Sequence, residues 1–542
     1  MKFKKELFLK RAIVFLIIVS CMFVEKLNAQ QISNTEKNSV TEVSISFLDG
    51  QNEIDPMIYG QMFENCNDRI IYDGVVNKDG SERPHVNELL KPLDVPVMRW
   101  PGGTYVRFYH WEDAIGPVDE RIPRPDFAWG DSVNNRFGTD EFLQWCDKMN
   151  IAPYINFNMG PYLPNAGSLG EAIDWVEYVN GSEGTIFGQK RAINGHTEPY
   201  NVKYWCIGNE NYLGLNKETA EEYSARLLRW SSTLKRLFPH IELLVVGHTY
   251  SWNEEVLKKN GKYVHFLTQH YYVNSMVKDD KLESPNKTLF SPAKMEAHIQ
   301  LIGKQLDEYN KQNNRINDPI RFSIDEWNNR HKVFADGEYV FTRQDPRRQF
   351  DVAVTAGMLN VFIRQSPIVG MANYIFPVNG HGLIRTIGDH DAYVTPTYYV
   401  FEKYRNVMLG EKMLAKVNGD GLMSTDIKYS LAGDAGREEM NISSNKKLTF
   451  IDAAAVNNNG DINISLSNRS HTDNIEVKLI LPEGYKPVEQ WELVHPDINA
   501  KNTPENRTKI VPKTTKWEDV KNRKYVSVPP CGLIIIACKR SE

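Results

Sequence analysis

Two stretches of this chain deliver a carboxylate where an enzyme could use one. YWCIGNENY (204 to 212) climbs through an apolar run to Gly208 and breaks into Asn209-Glu210, and IRFSIDEWN (320 to 328) leads in the same way into Glu326. Paired carboxylates at the ends of buried strands suit glycoside hydrolysis. One, protonated, gives its proton to the leaving oxygen, and the other, ionised, attacks the sugar or activates water. Their surroundings must then hold the two pKa values apart. Other strand-like runs end in fitting helpers: Glu64, Arg99 followed by Trp100-Pro101-Gly102-Gly103, Asn158, then His270 and Tyr272, and Trp327 directly after Glu326. Arg99 can keep a carboxylate ionised through charge and hydrogen bonding, and Asn209 can hydrogen-bond a sugar hydroxyl. A lone glutamate closing a strand is more often a salt-bridge partner or a helix-end charge. The pair is what points to chemistry. No cluster has zinc or calcium ligand spacing and no G-x-S-x-G elbow is present, so a site without metal or cofactor is expected.

Such a pair needs elements that converge. From about residue 57 to 405, short apolar runs alternate with longer helical patterns. The runs are MIYGQMF (57 to 63), VPVMR (95 to 99), APYINFN (152 to 158), VKYWCIG (202 to 208), ELLVVG (242 to 247), YVHFLTQH (263 to 270), IRFSIDE (320 to 326) and GMANYIFPV (370 to 378). Most are continuously apolar, as parallel strands covered on both faces by helices are. Between them, Ala220, Tyr223, Leu227, Trp230, Leu234 and Leu237 recur every three or four residues, which is one apolar stripe on a helix. Eight such strands with intervening helices predict an α/β fold, a (β/α)8 TIM barrel, whose chemistry sits at the C-terminal strand ends. A doubly wound open sheet is the alternative, but no glycine-rich phosphate loop opens a helix. After about residue 405 the chain turns to short β-rich runs separated by Asn, Gly, Pro and Asp, as an all-β sandwich would.

The ordered series WPGGTYVRFYHWEDAIGP, RFGTDEFLQWC, PYNVKYWCIGNE, FSIDEWN, MANYIFPVN and TPTYYVFEKY resembles glycoside hydrolase family 51, the α-L-arabinofuranosidases, as does LVHPDINAKNTPENRTKIVP near the C-terminus. The resemblance implies a clan A barrel (57–405) and a C-terminal jelly-roll sandwich (406–542), completed by a strand from an N-terminal segment (30–56). It also implies a retaining, metal-free mechanism in which Glu210 matches the acid/base and Glu326 the nucleophile. Glu64, Arg99, Asn209 and Tyr272 match sugar-binding positions, and His270 and Trp327 are expected beside them. Two positions depart from the family pattern. Thr104 stands where an asparagine usually follows the two glycines, and Phe376 stands where a glutamine is usual. Both reshape the expected sugar pocket. The resemblance extends to endo-β-glucanases, so an endo-β-glucanase or xylanase on the same scaffold stays open, as does a non-catalytic glycan-binding protein. It also admits homo-oligomers. The expected partner is an arabinose-containing polysaccharide or oligosaccharide.

Composition narrows the rest. A net charge of -5 over 542 residues supplies no field for nucleic acid or an anionic membrane. The first 29 residues show a basic start, the apolar run AIVFLIIVSCMFV and a small residue at Ala29, the layout of an export signal. A secreted or periplasmic location is therefore expected, with a lipid anchor at Cys21 as the lesser alternative. Five cysteines remain after Cys21, too few for a disulfide scaffold. If PPCGLIIIACK is one strand, Cys531 and Cys538 lie roughly 23 Å apart, beyond disulfide reach.

Overall fold

The computed structural model describes residues 40–541 except 51, 67–68, 161–164, 215–216, 430–445 and 520–523. The expected export signal and Cys21 lie outside the described residues. Eight parallel strands close into a barrel: Gly60–Met62, Val97–Trp100, Ala152–Phe157, Tyr204–Ile207, Glu242–Val246, Phe266–Lys278, Arg321–Ala335 and Val369–Tyr374. Neighbours pair in that order, the sixth strand pairs with the seventh, and the eighth returns to the first. The first strand is shorter than its apolar run suggests. Pro56–Tyr59 forms a 3-10 turn instead, because Pro56 starts it and the Asp55 side chain accepts from the Met57 N–H.

Helices cover the barrel by burying one stripe each. In Ala220–Leu237 the buried positions include Tyr223, Leu227, Trp230 and Leu234, and Thr219 caps the helix with Glu222 bonding back. Helix Gln349–Arg364 is buried along almost its whole length, because barrel and sandwich both press on it. From it Asn360 donates to Asp452, and Gln349 donates to the carbonyls of Leu493 and Cys531.

The second unit is one continuous nine-stranded hydrogen-bonded order wrapped over a core that includes Val43, Ile45, Ile462, Ile464 and Ile534. Its chain is mostly C-terminal, yet Thr41–Ser46 is an inner strand. It runs antiparallel to Glu411–Asn418 and parallel to Ile475–Ile480. The five described cysteines are all buried thiols.

Two barrel strands outrun the rim. Phe266–Lys278 and Arg321–Ala335 stay paired from His270 opposite Glu326 out to Val277 opposite Val333. Arg321–Ala335 then folds back through Glu338–Thr342 as a hairpin. This ribbon forms a wall beside the strand ends.

Candidate active site

The second barrel strand carries Arg99, fully buried, one residue before its end, and this guanidinium organises the site. Its Nη1 donates to Glu326 Oε1 at 2.8 Å, its Nη2 to Asn209 Oδ1 at 2.7 Å, and its Nε lies 3.4 Å from Asp325 Oδ2. A buried charge survives only when paired and hydrogen-bonded, and the seventh strand and the turn after the fourth supply the partners. The bond to Asn209 fixes the amide. Its Nδ2 has no hydrogen-bond partner among the described residues, so that donor is left for a ligand hydroxyl.

Glu210 follows the fourth strand on a strained turn. Gly208 has φ +90° and Glu210 φ +45°, a left-handed conformation that costs a non-glycine residue on the order of 1 kcal/mol. The turn is clamped by Asn211, whose Nδ2 donates to Met159 O at 2.9 Å and Glu218 Oε2 at 2.7 Å. A Cβ at Gly208 would lie 2.3 Å from Asn211 Oδ1, so only glycine fits there.

Asp325 and Glu326 are consecutive, and strict alternation would send one of them away from the site. A register shift in the seventh strand between Ser323 and Glu326 brings both to it. Asp325, which the sequence reading passed over, is buried against Arg99 and accepts from the Tyr154 hydroxyl at 2.9 Å. Glu326 Oε2 accepts from the Tyr272 hydroxyl. The same shift corrects the expectation for Trp327. Its side chain is fully buried among Phe362, Tyr374 and Phe401, on the helix side of the barrel, and offers no face to a sugar. Phe376 is likewise core rather than lining, at 1% exposure. Thr104 stands half-buried at the start of the 3-10 turn Thr104–Phe108. Replacing Trp327 with alanine is expected to destabilise by about 3–5 kcal/mol, read as a lower midpoint of denaturant unfolding.

His270 joins the two glutamates. Its Nδ1 is 2.8 Å from Glu210 Oε1 and 3.3 Å from Glu326 Oε2, and its Nε2 is 3.3 Å from Asp325 Oδ1. Burial alone would lower the imidazole, but the charge of Glu326 and the bonds to Asp325 and Glu210 outweigh it and push it up to about 10. It is therefore an imidazolium at neutral pH. Burial works to raise Glu210, yet the His270 hydrogen bond and charge, helped by Arg107 and Arg99, hold it below the usual glutamate range. Donor atoms of Glu210, His270 and Glu326 all fall within 4.8 Å of one another, as metal ligands would. The protonated His270 already supplies the positive charge in that cluster.

Glu64 closes the pocket from the first strand. Its Oε1 accepts from the N–H groups of Gly103 and Tyr105, both at 3.1 Å, and from Trp129 Nε1 at 3.2 Å. Burial and the Glu326 charge push it up to about 7. The glycine pair makes room for the acids. A Cβ at Gly102 (φ +145°) would sit 2.5 Å from Glu64 Cγ, and one at Gly103 would sit 2.6 Å from Glu326 Oε1. Trp129 comes from a loop with no periodic signal, which is why the sequence reading missed it.

Residues 89–313 match the α-L-arabinofuranosidase 1 domain and residues 325–531 the α-L-arabinofuranosidase C-terminal domain. Alpha-L-arabinofuranosidase C of Emericella nidulans is 32% identical over 453 residues, covering 80% of this chain and 85% of that one. The chain belongs to the α-L-arabinofuranosidases of glycoside hydrolase family 51. Within the family, the intracellular exo-α-(1→5)-L-arabinofuranosidase 1 of Bacillus subtilis is 29% identical, covering 85% of this chain and 91% of that one. The arabinose complex of the Thermotoga maritima α-L-arabinofuranosidase superposes with a TM-score of 0.78 at 28% identity, over 92% of this chain and 99% of that one. The second family domain takes in the last barrel strand as well as most of the sandwich, which fits the shared helix Gln349–Arg364.

Two expectations follow for this family member. Gly103→Ala should displace Glu326 and lower kcat on an aryl glycoside by about 100-fold, the scale of a misplaced reacting group; wild-type kcat would show that Glu326 moves aside freely. The second concerns pH. His270 is raised on folding, so its contribution to stability is fully present below 6.5 and is lost as pH rises toward about 10. Glu64 has the same sign between 4.5 and about 7, and the buried thiols raised above 9 share it at higher pH, so the difference between the wild type and a His270 variant isolates the imidazole. Thermal stability above pH 8 should weaken with pH in the wild type and much less in His270→Gln.

Proposed function

We propose that this protein is an exported α-L-arabinofuranosidase that releases α-L-arabinofuranosyl groups from the non-reducing ends of glycans with retention of configuration. The observation that carries the reading is the pair Glu210 and Glu326, just past the fourth strand and where the seventh crosses the rim, with one oxygen of each within 4.8 Å. Retaining glycosidases hold their carboxyl groups about 5–5.5 Å apart, and inverting ones about 6.5–9.5 Å. Family membership supplies the sugar class. The basic-apolar leader supports export, and a cytoplasmic form would match the Bacillus subtilis relative instead.

In this reading Glu326 attacks the anomeric carbon. Arg99 donates to one of its oxygens, and the Tyr272 hydroxyl orients the other. Its side chain is 7% exposed against 16% for Glu210, which fits a nucleophile below the sugar and an acid that must later meet water. The leaving oxygen needs a proton, and in the resting site that proton sits on His270. It crosses the 2.8 Å bond to Glu210 and goes on to the departing oxygen. Formation of the glycosyl ester removes the Glu326 charge that holds His270 so high. Glu210 then takes a proton from water, which attacks the ester, frees the sugar and restores the Glu326 carboxylate, and the proton returns to His270 across the same bond. Asn209 Nδ2 and Glu64 face the sugar hydroxyls.

An endo-acting reading calls for exposed tryptophans along an open cleft. Among the described residues, none of the exposed large hydrophobic side chains is a tryptophan, which supports exo action. The test is a panel of aryl α-L-arabinofuranoside, aryl β-D-glucoside and aryl β-D-galactofuranoside, with proton NMR of the first-formed sugar. Turnover of the arabinofuranoside giving α-arabinose first supports the reading. Preference for the glucoside, or β-arabinose first, overturns it.

A further inference from the structure

One short turn reaches two of the site's carboxylates. In Thr104–Phe108 the Tyr105 N–H donates to Glu64, and two residues further on Arg107 extends to the turn that carries Glu210. Arg107 Nη1 donates to Leu213 O at 3.1 Å, and the Leu213 N–H donates to Glu210 O at 2.8 Å. Arg107 also abuts Gly214 (φ +95°), where a Cβ would lie 3.5 Å from the same Nη1. Arg107 is only 8% exposed, and among the described residues its Nε has no hydrogen-bond partner. A buried cation bonded so sparsely has to be tolerated through nearby negative charge. Two carboxylates supply it, Glu210 and Glu218. Glu218 is already gripped by Arg226, Nε to Oε1 and Nη2 to Oε2, both at 2.7 Å. Glu210 is the one with a proton to move.

We propose that Arg107 is a positioning residue for the second half of the reaction: it fixes the Glu210 turn through Leu213 O and keeps the Glu210 carboxylate ionised while the glycosyl ester awaits water. This role rests on the proposed retaining activity. The charged and titratable groups around Glu210 are His270 and Tyr272 of the sixth strand, Arg99 of the second, Glu326 beyond His270, and Arg107. In the resting site the His270 imidazolium does most to hold Glu210 ionised. Once the ester forms, that proton has gone to the departing oxygen and Glu326 has lost its charge. Burial still works to raise Glu210, and the cations left to oppose it are Arg107 and Arg99, of which Arg107 acts on it more strongly. Arg99 meanwhile keeps Asp325 and Asn209 as partners. A protonated Glu210 has no way to accept the proton of the attacking water. Removing a neighbouring cation raises a carboxyl, so without Arg107 the second step should fail at a higher pH.

The test reads the acid limb of the pH profile. An α-L-arabinofuranoside of a strongly activated phenol makes breakdown of the glycosyl-enzyme limit kcat, and the phenol burst reports the first step separately. In Arg107→Gln and Arg107→Met the acid limb of kcat should move up by about one pH unit, the low end of what a nearby charge does to a carboxyl. The limb of kcat/KM belongs to the free enzyme, where the imidazolium is in place, and should move less. Arg107→Lys keeps the charge and should keep the wild-type limb. Glu64, pushed up to about 7, titrates in every variant alike and drops out of the comparison. Two neutral variants are made so that one that folds is enough. An unmoved kcat limb in a folded neutral variant, however far the rate falls at every pH, leaves Arg107 a clamp only and overturns the proposal. So does an equal shift in Arg107→Lys. A wild type that does not turn over the arabinofuranoside overturns the activity beneath it instead.

Discussion

Replacing Glu326 with alanine should remove at least about four orders of magnitude from kcat, because a covalent route without its nucleophile leaves only binding and acid catalysis. The fold should survive. Glu326 is a buried charge made tolerable by Arg99, Tyr272 and His270, so its loss costs stability through Arg99, which keeps Asp325 and Asn209 as partners. The informative arm is chemical rescue. Azide is small enough for the vacated space and would attack from the face Glu326 used, giving an arabinosyl azide of inverted configuration. Near wild-type turnover in Glu326→Ala would remove this residue from the mechanism and the mechanism from the site.

The second large effect belongs to Glu210 and depends on what leaves. With a glycan substrate the departing oxygen needs a proton, and Glu210→Ala should lose about 10²–10⁴-fold, the range of general acid catalysis. With an activated aryl leaving group the first step is spared while the second still lacks its base. The glycosyl-enzyme should then accumulate, visible as a burst of phenol followed by slow turnover. Azide would accelerate that slow phase and yield the azide of retained configuration. Equal losses on both substrates, without a burst, would give Glu210 a structural role only. His270 sharpens the comparison, since its proton has Glu210 as an acceptor at 2.8 Å. The alkaline limb of the wild-type pH profile should change shape when that acceptor is gone.

The parts of this site that sequence makes legible are those fixed by strand ends. Arg99, Asn209, Glu210, His270, Tyr272 and Glu326 sit where continuous apolar runs break, and a parallel barrel brings such breaks to one rim. The parts that were not legible depend on departures from regular geometry. A register shift is invisible in an apolar run, so IDEW gives no sign that Asp325 joins the site while Trp327 leaves it. Phe376 reads as a pocket residue only by position in a motif, and its ring went to the core. Trp129 and the ribbon past Asn328 lie in stretches whose alternation is weak. Their place at the site is decided by long-range pairing, which local pattern does not record.

The inner strand Thr41–Ser46 has a consequence for how the chain is made. Its antiparallel partner begins at Glu411, so it leaves the ribosome about 370 residues early, some tens of seconds at usual elongation rates. Throughout that interval Val43 and Ile45 belong to an unsatisfied edge, a template open to any other strand. The whole barrel is synthesised while its sister unit waits half-started, and the chain ends must meet across it before the sandwich can close. Holding this segment extended until the last strand arrives is a requirement written into the topology.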